Sequence, residues 1–327
     1  MNVLVTGAAG YIGSIVTEEL IRQGNSVIAL DNLKQGHREA VSPEAIFVEL
    51  DLSDIKGLEH LFEHHEIEAV MHLAAESTVE HSITDPGRYF QNNVIYSANL
   101  LDTMLKHGVR RLVFSSTAAV YGEPEEVPIE EDMPTMPVNP YGESKLMFEK
   151  ILDWYRRAYR LKFISLRYFN AAGASERFGE DHRPETHLIP NVLKVALGQA
   201  EHVPVFGTNY PTKDGTCIRD YIHVLDIAKA HILALKYLWE GGGNKAYNLG
   251  NDRGYSVMEV VGTARKVTGS SIPTAIHPKR MGDPAVLVAS SELAKSELGW
   301  QPEYPDLESM IDSAWQWQRK HPCGYKR

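Results

Sequence analysis

Val3-Leu4-Val5-Thr6-Gly7-Ala8-Ala9-Gly10-Tyr11-Ile12-Gly13 is the stretch on which the reading of this chain turns. The apolar run predicts a buried strand over residues 2–6, and the spacing after Gly13 predicts a helix to about Gln23. Glycines in GxxGxxG order between a strand and a helix have a mechanical meaning. Gly7 permits the tight turn, Gly10 lets backbone approach a pyrophosphate, and Gly13 lets the helix lie close on the strand. Phosphate oxygens then meet free N–H groups in the first helical turn, where Tyr11 and Ile12 stand.

Working outward, Ser26-Val27-Ile28-Ala29-Leu30-Asp31 reads as a second strand whose last residue is an acid about twenty positions past the glycines. A carboxylate there accepts hydrogen bonds from an adenosine ribose and repels a 2′-phosphate, so the cofactor expected is NAD rather than NADP. Further strands follow over 45–50, 68–73, 111–115 and 163–168, with helical segments between them. Asp51 and Leu52 end the third and point toward the adenine; Ala74 and Ala75 follow the fourth. Such alternation predicts an α/β fold, a Rossmann-type doubly wound parallel sheet over residues 1–170. Ligands bind beyond the carboxyl ends of such strands, which puts Ser115, Ser116, Thr117, Phe169 and Asn170 at the active edge.

After Asn170 the alternation fades. Residues 171–327 read as a smaller, mixed α/β, substrate-facing domain, in which loops dominate from 171 to 220. Helices are expected near 188–198, 256–268, 291–298 and 306–320, with a strand at 203–206. A helix over 224–239 and a strand over 246–249 suggest that the segment of about 222–250 rejoins the main sheet.

Composition narrows the partners. Lys plus Arg is 33 against 43 Asp plus Glu, for a net charge of −10 with no basic block, which argues against nucleic acid or an anionic membrane surface. No apolar run reaches the length of a membrane span. The only cysteines, Cys217 and Cys323, suit a reducing compartment, and the strand beginning at Asn2 leaves no room for a leader, so a cytoplasmic location is expected. His60 and His64 have metal-ligand spacing, but Glu59, Glu63 and Glu66 mark that helix as a solvated face, and no metal is expected.

The chemistry is concentrated in Asn139-Pro140-Tyr141-Gly142-Glu143-Ser144-Lys145. Pro140 suits the first turn of a helix, and Tyr141 and Lys145 project from it one turn apart. A phenol titrates near pH 10, and lowering that by about three units takes about 4 kcal/mol. One ammonium at about 4 Å, at an effective dielectric of about 20, supplies that amount, so Tyr141 is expected to serve as a proton acceptor. This helix, over 141–159, and a second over 93–107 both carry apolar residues on two faces. Doubled about a two-fold axis they would make a four-helix bundle, hence an expected homodimer.

Together with Phe114-Ser115-Ser116-Thr117-Ala118-Ala119-Val120-Tyr121-Gly122, Leu166-Arg167-Tyr168-Phe169-Asn170 and Asp214-Gly215-Thr216-Cys217-Ile218-Arg219-Asp220-Tyr221-Ile222-His223, these stretches resemble the extended short-chain dehydrogenase/reductase family, and within it the UDP-glucose 4-epimerases. The likeness runs through nearly the whole chain, to His321-Pro322-Cys323-Gly324-Tyr325. It implies Tyr141 as base, Lys145 on the nicotinamide ribose and Thr117 as the hydroxyl that meets sugar and tyrosine. Around NAD it implies Gly7, Gly10, Tyr11, Ile12, Gly13, Asp31, Asn32, Asp51, Leu52, Leu73, Ala74, Asn92, Ser115 and Tyr168. Around a UDP-sugar it implies Asn170, His187, Leu188, Phe206, Arg219, Arg280, Asp283 and Leu287, with the two arginines as diphosphate partners. His187 departs from an asparagine found in some members, and Ser77 from a cofactor-binding lysine. A sugar-nucleotide 4,6-dehydratase would need an acid and a base after the threonine, where this chain has Ala118 and Ala119. A redox-sensing binding protein would have no use for Thr117, Tyr141 and Lys145 together. Leu287 matches a position that gates the sugar 2-substituent, where tyrosine goes with strict glucose/galactose enzymes; a shorter leucine implies slower turnover of the N-acetylated sugars as well.

Overall fold

The computed structural model describes residues 1–280 and 283–326. Its centre is β1 (Asn2–Thr6), where Val3, Leu4 and Val5 are fully buried. Successive side chains on a strand point to opposite faces. Val3 and Val5 accordingly join one apolar core with Ile15, Val16 and Leu20, while Leu4 joins a second with Leu58, Leu100 and Phe148. Each fully buried side chain of this size contributes about 1.5–3 kcal/mol, and a strand apolar on both faces must be covered on both.

Six strands accompany it in a parallel sheet: β2 (Ser26–Asp31), β3 (Ile46–Glu49), β4 (Ala69–His72), β5 (Arg111–Ser115), β6 (Lys162–Tyr168) and β7 (Lys245–Leu249). The order is β7-β6-β5-β4-β1-β2-β3, so the direction of winding reverses between β1 and β4. That reversal opens the crevice in which ligands of doubly wound sheets bind. The helices α1 (Tyr11–Arg22) and α5 (Val224–Trp239) cover one face. The other is covered by α2 (Ile55–His64), α3 (Ser97–Lys106) and α4 (Pro140–Tyr159). The strand expected at 246–249 does lie beside β6.

Three stretches differ from the sequence reading. The helix expected over 93–107 starts as a π-helical turn, Gln91–Tyr96, and is preceded by short helices Val79–Thr84 and Pro86–Phe90. Asp85, which accepts from the Arg88 N–H ahead of Pro86, starts the second of these. The third strand is shorter than expected. Ile218–His223, assigned in part to loop, is the centre of a four-stranded sheet with Asn170–Ala172, Gly254–Ser256 and Val286–Leu287. Its residues alternate too little for a half-buried strand, and only the partners reveal it. Helices Leu188–Ala196, Val257–Thr268 and Leu307–Lys320 close a third core around it.

Candidate active site

The glycine loop shows why no larger residue stands there. Gly7 has φ +70°, and a Cβ on it would lie 2.6 Å from the Ala74 nitrogen, so the ends of β1 and β4 close only around glycine. A Cβ on Gly13 would lie 2.0 Å from the Gly7 carbonyl oxygen. Gly10 is different: its Cβ would meet only the Gly7 oxygen, at 3.3 Å, and otherwise open space. No side chain caps α1 at Gly10, which leaves its first N–H groups for a ligand. An open backbone face beside uncapped amides fits a dinucleotide pyrophosphate.

Asp31 accepts from the backbone N–H groups of Ala9 (3.0 Å) and Leu33 (2.8 Å). Burial pushes its carboxyl up, while these amides hold it back. Asp51 is also partly buried, but hydrogen bonds from Lys34, Ser53 and Asn32 carry it well below the usual range. Two carboxylates thus stand at the ends of adjacent strands, where ribose hydroxyls could donate.

The reacting groups come from β5 and α4. Asn139 caps α4 by accepting from the Gly142 N–H at 2.8 Å, and Pro140 opens the first turn, which orients Tyr141 and Lys145. Lys145, 3% exposed, donates to the Ser115 carbonyl at 2.9 Å. Burial lowers its ammonium to about 7, with Glu149 one turn on working the other way. Ser115 Oγ is hydrogen-bonded to the Tyr168 hydroxyl, and the Ser116 hydroxyl donates to Glu149 at 2.5 Å. Asn93, in the π turn, donates to the Ser144 hydroxyl at 2.9 Å and accepts from the Glu76 N–H at 2.8 Å, tying that turn to α4. The expected fall of the Tyr141 pKa is not what this environment produces. Burial pushes the phenol up and the Thr117 hydroxyl offsets part of that. Lys145 is turned toward the Ser115 carbonyl, and a buried phenolate loses hydration that spacing along a helix cannot register.

Every residue assigned to the cofactor from sequence lines one cleft of about 380 Å³, and so do Thr117, Asn170, His187 and Ser77. Leu188, Phe206, Arg219, Arg280, Asp283 and Leu287 do not line it. Most of these form a second group in the smaller part. Arg219 pairs with Asp283, which also accepts from the Tyr210 hydroxyl at 3.3 Å, and Arg280 lies 3.9 Å over the Phe206 ring. The Arg219 guanidinium expected to await a diphosphate is therefore held by a carboxylate. Leu287 is paired in register with Arg219 and packs on the cluster that contains Ala118 and Phe169.

Several lining residues escaped the sequence reading: Gly36, His37, Glu180, Asp181, His182 and Tyr325. Gly36 is needed because a Cβ would lie 2.9 Å from an Asp31 oxygen. Tyr325 reaches back from the C-terminus, where its hydroxyl accepts from the Gly179 N–H at 3.1 Å. The family look of 321–325 was the available signal.

Comparison with known proteins agrees with this geometry. Residues 3–250 match the family model described as "Epimerase: NAD dependent epimerase/dehydratase family". The UDP-glucose 4-epimerase of Halalkalibacterium halodurans is 54% identical over 327 residues, 99% of this chain and 98% of that protein. A crystal structure of a UDP-glucose 4-epimerase, 50% identical, superposes with a TM-score of 0.98 over 100% of both chains. The Bifidobacterium longum UDP-glucose 4-epimerase, crystallised with NAD⁺ and UDP, is 40% identical with a TM-score of 0.95, covering 99% of this chain and 100% of that one.

Proposed function

Because the chain belongs to the NAD dependent epimerase/dehydratase family, we infer that it is a UDP-glucose 4-epimerase, interconverting UDP-galactose and UDP-glucose through a 4-keto sugar with tightly held NAD. The observation that carries this is the meeting of Thr117, Tyr141 and Lys145 in the cleft that the glycine loop and Asp31 also line. The residues after Thr117 are alanines, which can neither protonate nor deprotonate carbon, and this disfavours a 4,6-dehydratase.

NAD, when bound, supplies the redox chemistry at sugar C4, taking up and returning hydride. Gly7, Gly10 and Gly13 would bring backbone against its pyrophosphate, while Asp31 and Asp51 would hold the adenosine end and repel a 2′-phosphate. Tyr141 accepts the proton of the 4-hydroxyl and returns it once the sugar has presented its other face. Thr117 orients that hydroxyl. Lys145, anchored on the Ser115 carbonyl, has N–H donors left for a ribose, and the Thr117 hydroxyl offsets part of what burial adds to the Tyr141 pKa. The UDP moiety is assigned to Asn170, His187, Leu188, Phe206, Arg219, Arg280 and Asp283, which requires Arg219 to share its guanidinium between Asp283 and phosphate. Residues 1–170 with the segment of about 222–250 are proposed as the NAD-binding part, and the remainder of 171–327 as the nucleotide-sugar part.

A homodimer through a four-helix bundle is supported by exposed apolar residues on the two helical segments concerned. Ile95, Met147, Trp154 and Tyr159 are 52%, 39%, 66% and 54% exposed. Trp154→Glu should shift sedimentation from dimer to monomer; an unchanged coefficient refutes this face. Among the described residues no helix is long and apolar enough to cross a membrane, and both cysteines are free, in keeping with a proposed cytoplasmic location.

The deciding experiment supplies purified protein with UDP-galactose and no cofactor. UDP-glucose should form, and denaturation should release NAD⁺ or NADH by mass. Turnover only on adding cofactor, or release of NADP, overturns the reading.

A further inference from the structure

The loop joining Asn170–Ala172 to Leu188–Ala196 gathers Glu180, His182, Glu185 and His187, each aiming one ligand atom into a common space. His187 Nδ1 lies 2.8 Å from a Glu180 oxygen and 2.9 Å from a Glu185 oxygen. His182 Nδ1 lies 3.0 Å from the same Glu180 oxygen and 4.0 Å from the second Glu185 oxygen. Zinc bound tetrahedrally by imidazole nitrogen and carboxylate oxygen, at about 2.0–2.1 Å, sets its ligands about 3.3–3.4 Å apart. Three of these separations are hydrogen-bond lengths a little under that edge, and one ligand atom from each of the four residues lies within 4.8 Å of the others, so an ion enters with shifts of a few tenths of an ångström.

Charge points the same way. The Glu180 and Glu185 side chains are 8% and 2% exposed, and among the described residues their only ion-pair partners are these two histidines. One imidazole N–H cannot donate well to two carboxylates at once, whereas a divalent cation satisfies both oxygens and both nitrogens. The donors are also braced. The Glu185 oxygen nearest His187 accepts from the backbone N–H groups of Thr186 and His187, both at 2.8 Å, the kind of outer support that fixes a metal-binding carboxylate. By contrast, His60, Glu63 and His64 are all exposed on α2, and Glu59 is already paired with Lys106 and His107.

We propose that Glu180, His182, Glu185 and His187 bind one divalent transition-metal cation, zinc by the chemistry of the donors, as a structural clasp in the wall of the active cleft. Four protein ligands fill a tetrahedron and leave no open position for chemistry. The clasp holds the segment that brings Gly179 to His182 to the cleft, and the His182 ring packs edge-on against Tyr11 at 6.5 Å. His187 ligates through Nδ1, and its Nε2 stays available to a substrate. All four ligands fall within residues 180–187, on a loop that bends at Arg183 and Pro184.

The test uses the protein as purified, dialysed against a chelator and then offered zinc alone. Elemental analysis should find close to one zinc per chain, and thermal unfolding should move up with zinc and down with chelator. Cobalt in its place should give the intense visible absorption of a tetrahedral site. His182→Ala and Glu185→Gln should lose the metal, while the His60→Ala/His64→Ala variant keeps it. Wild type that retains well under half an equivalent, with an unfolding temperature indifferent to zinc, refutes the clasp and leaves the cluster as histidine–glutamate ion pairs. Equal retention by His182→Ala refutes the assigned ligands. If the variants do not fold, the wild-type measurements decide.

Discussion

Glu149→Gln is expected to damage this protein more than its distance from the cofactor edge suggests. Glu149 lies one turn past Lys145 on α4, and its carboxylate accepts from both Arg167 Nη2 (2.6 Å) and Nε (3.0 Å) as well as from Ser116. Both side chains of the ion pair are 9% exposed, and Arg167 continues to the Tyr121 hydroxyl at 2.8 Å. Gln keeps the shape but leaves a guanidinium buried without a counter-charge, which costs about 3–5 kcal/mol. With an m-value of about 3 kcal/mol/M, the urea midpoint should fall by about 1–1.7 M at pH 7 by circular dichroism. The pair itself need not be a net stabiliser. Replacing both ends, as Glu149→Met with Arg167→Met, removes both desolvation penalties and should recover at least half of the loss. Activity should respond too, since Glu149 is the charge that holds the Lys145 pKa up. Without it Lys145 loses its proton at lower pH, so the alkaline fall in rate should move downward. A midpoint shift below about 0.3 M, or a double variant no better than the single one, would refute the claim that this pair is sealed from water.

Other outcomes follow from the same site. Tyr141→Phe should fold and keep its NAD but lose at least about two orders of magnitude in rate, and near-normal turnover would remove Tyr141 from the role of base. Lys145, at about 7 in the folded protein against an ordinary 10.4, binds fewer protons folded than unfolded between those values, so its contribution makes stability rise with pH across that window at up to about 1.4 kcal/mol per pH unit. Measured by urea unfolding of cofactor-free protein, wild type should therefore gain about 2–3 kcal/mol on Lys145→Met between pH 7 and 9, and parallel curves would contradict this. UDP-N-acetylglucosamine and UDP-N-acetylgalactosamine should interconvert slowly, and Leu287→Tyr should suppress that while sparing UDP-galactose, because overpacking costs about 1–3 kcal/mol. No turnover of either acetylated sugar by wild type would mean that Leu287 already closes the pocket.

Local chemistry determined much of this protein before any tertiary contact is considered. The glycines at 7, 10 and 13, the acid at 31 and the proline before Tyr141 act through backbone conformation and spacing within one strand–helix unit, and the sequence displays these directly. Most of the six leading strands could be read in order for a similar reason, since a strand buried on both faces is a continuous apolar run; the third, Ile46–Glu49, is a partly exposed edge strand and came out shorter than expected. What depends on distant partners could not be read. Ile218–His223 becomes a strand only through neighbours contributed by residues 170–172, 254–256 and 286–287. The direction of the Tyr141 pKa is set by how much water the fold removes, against which the Thr117 hydroxyl works, while the Lys145 ammonium that the helix spacing advertises turns to the Ser115 carbonyl. Arg219 finds Asp283 across 64 residues of chain. Electrostatics and desolvation are sums over everything nearby in space, and proximity in space is what the fold alone decides.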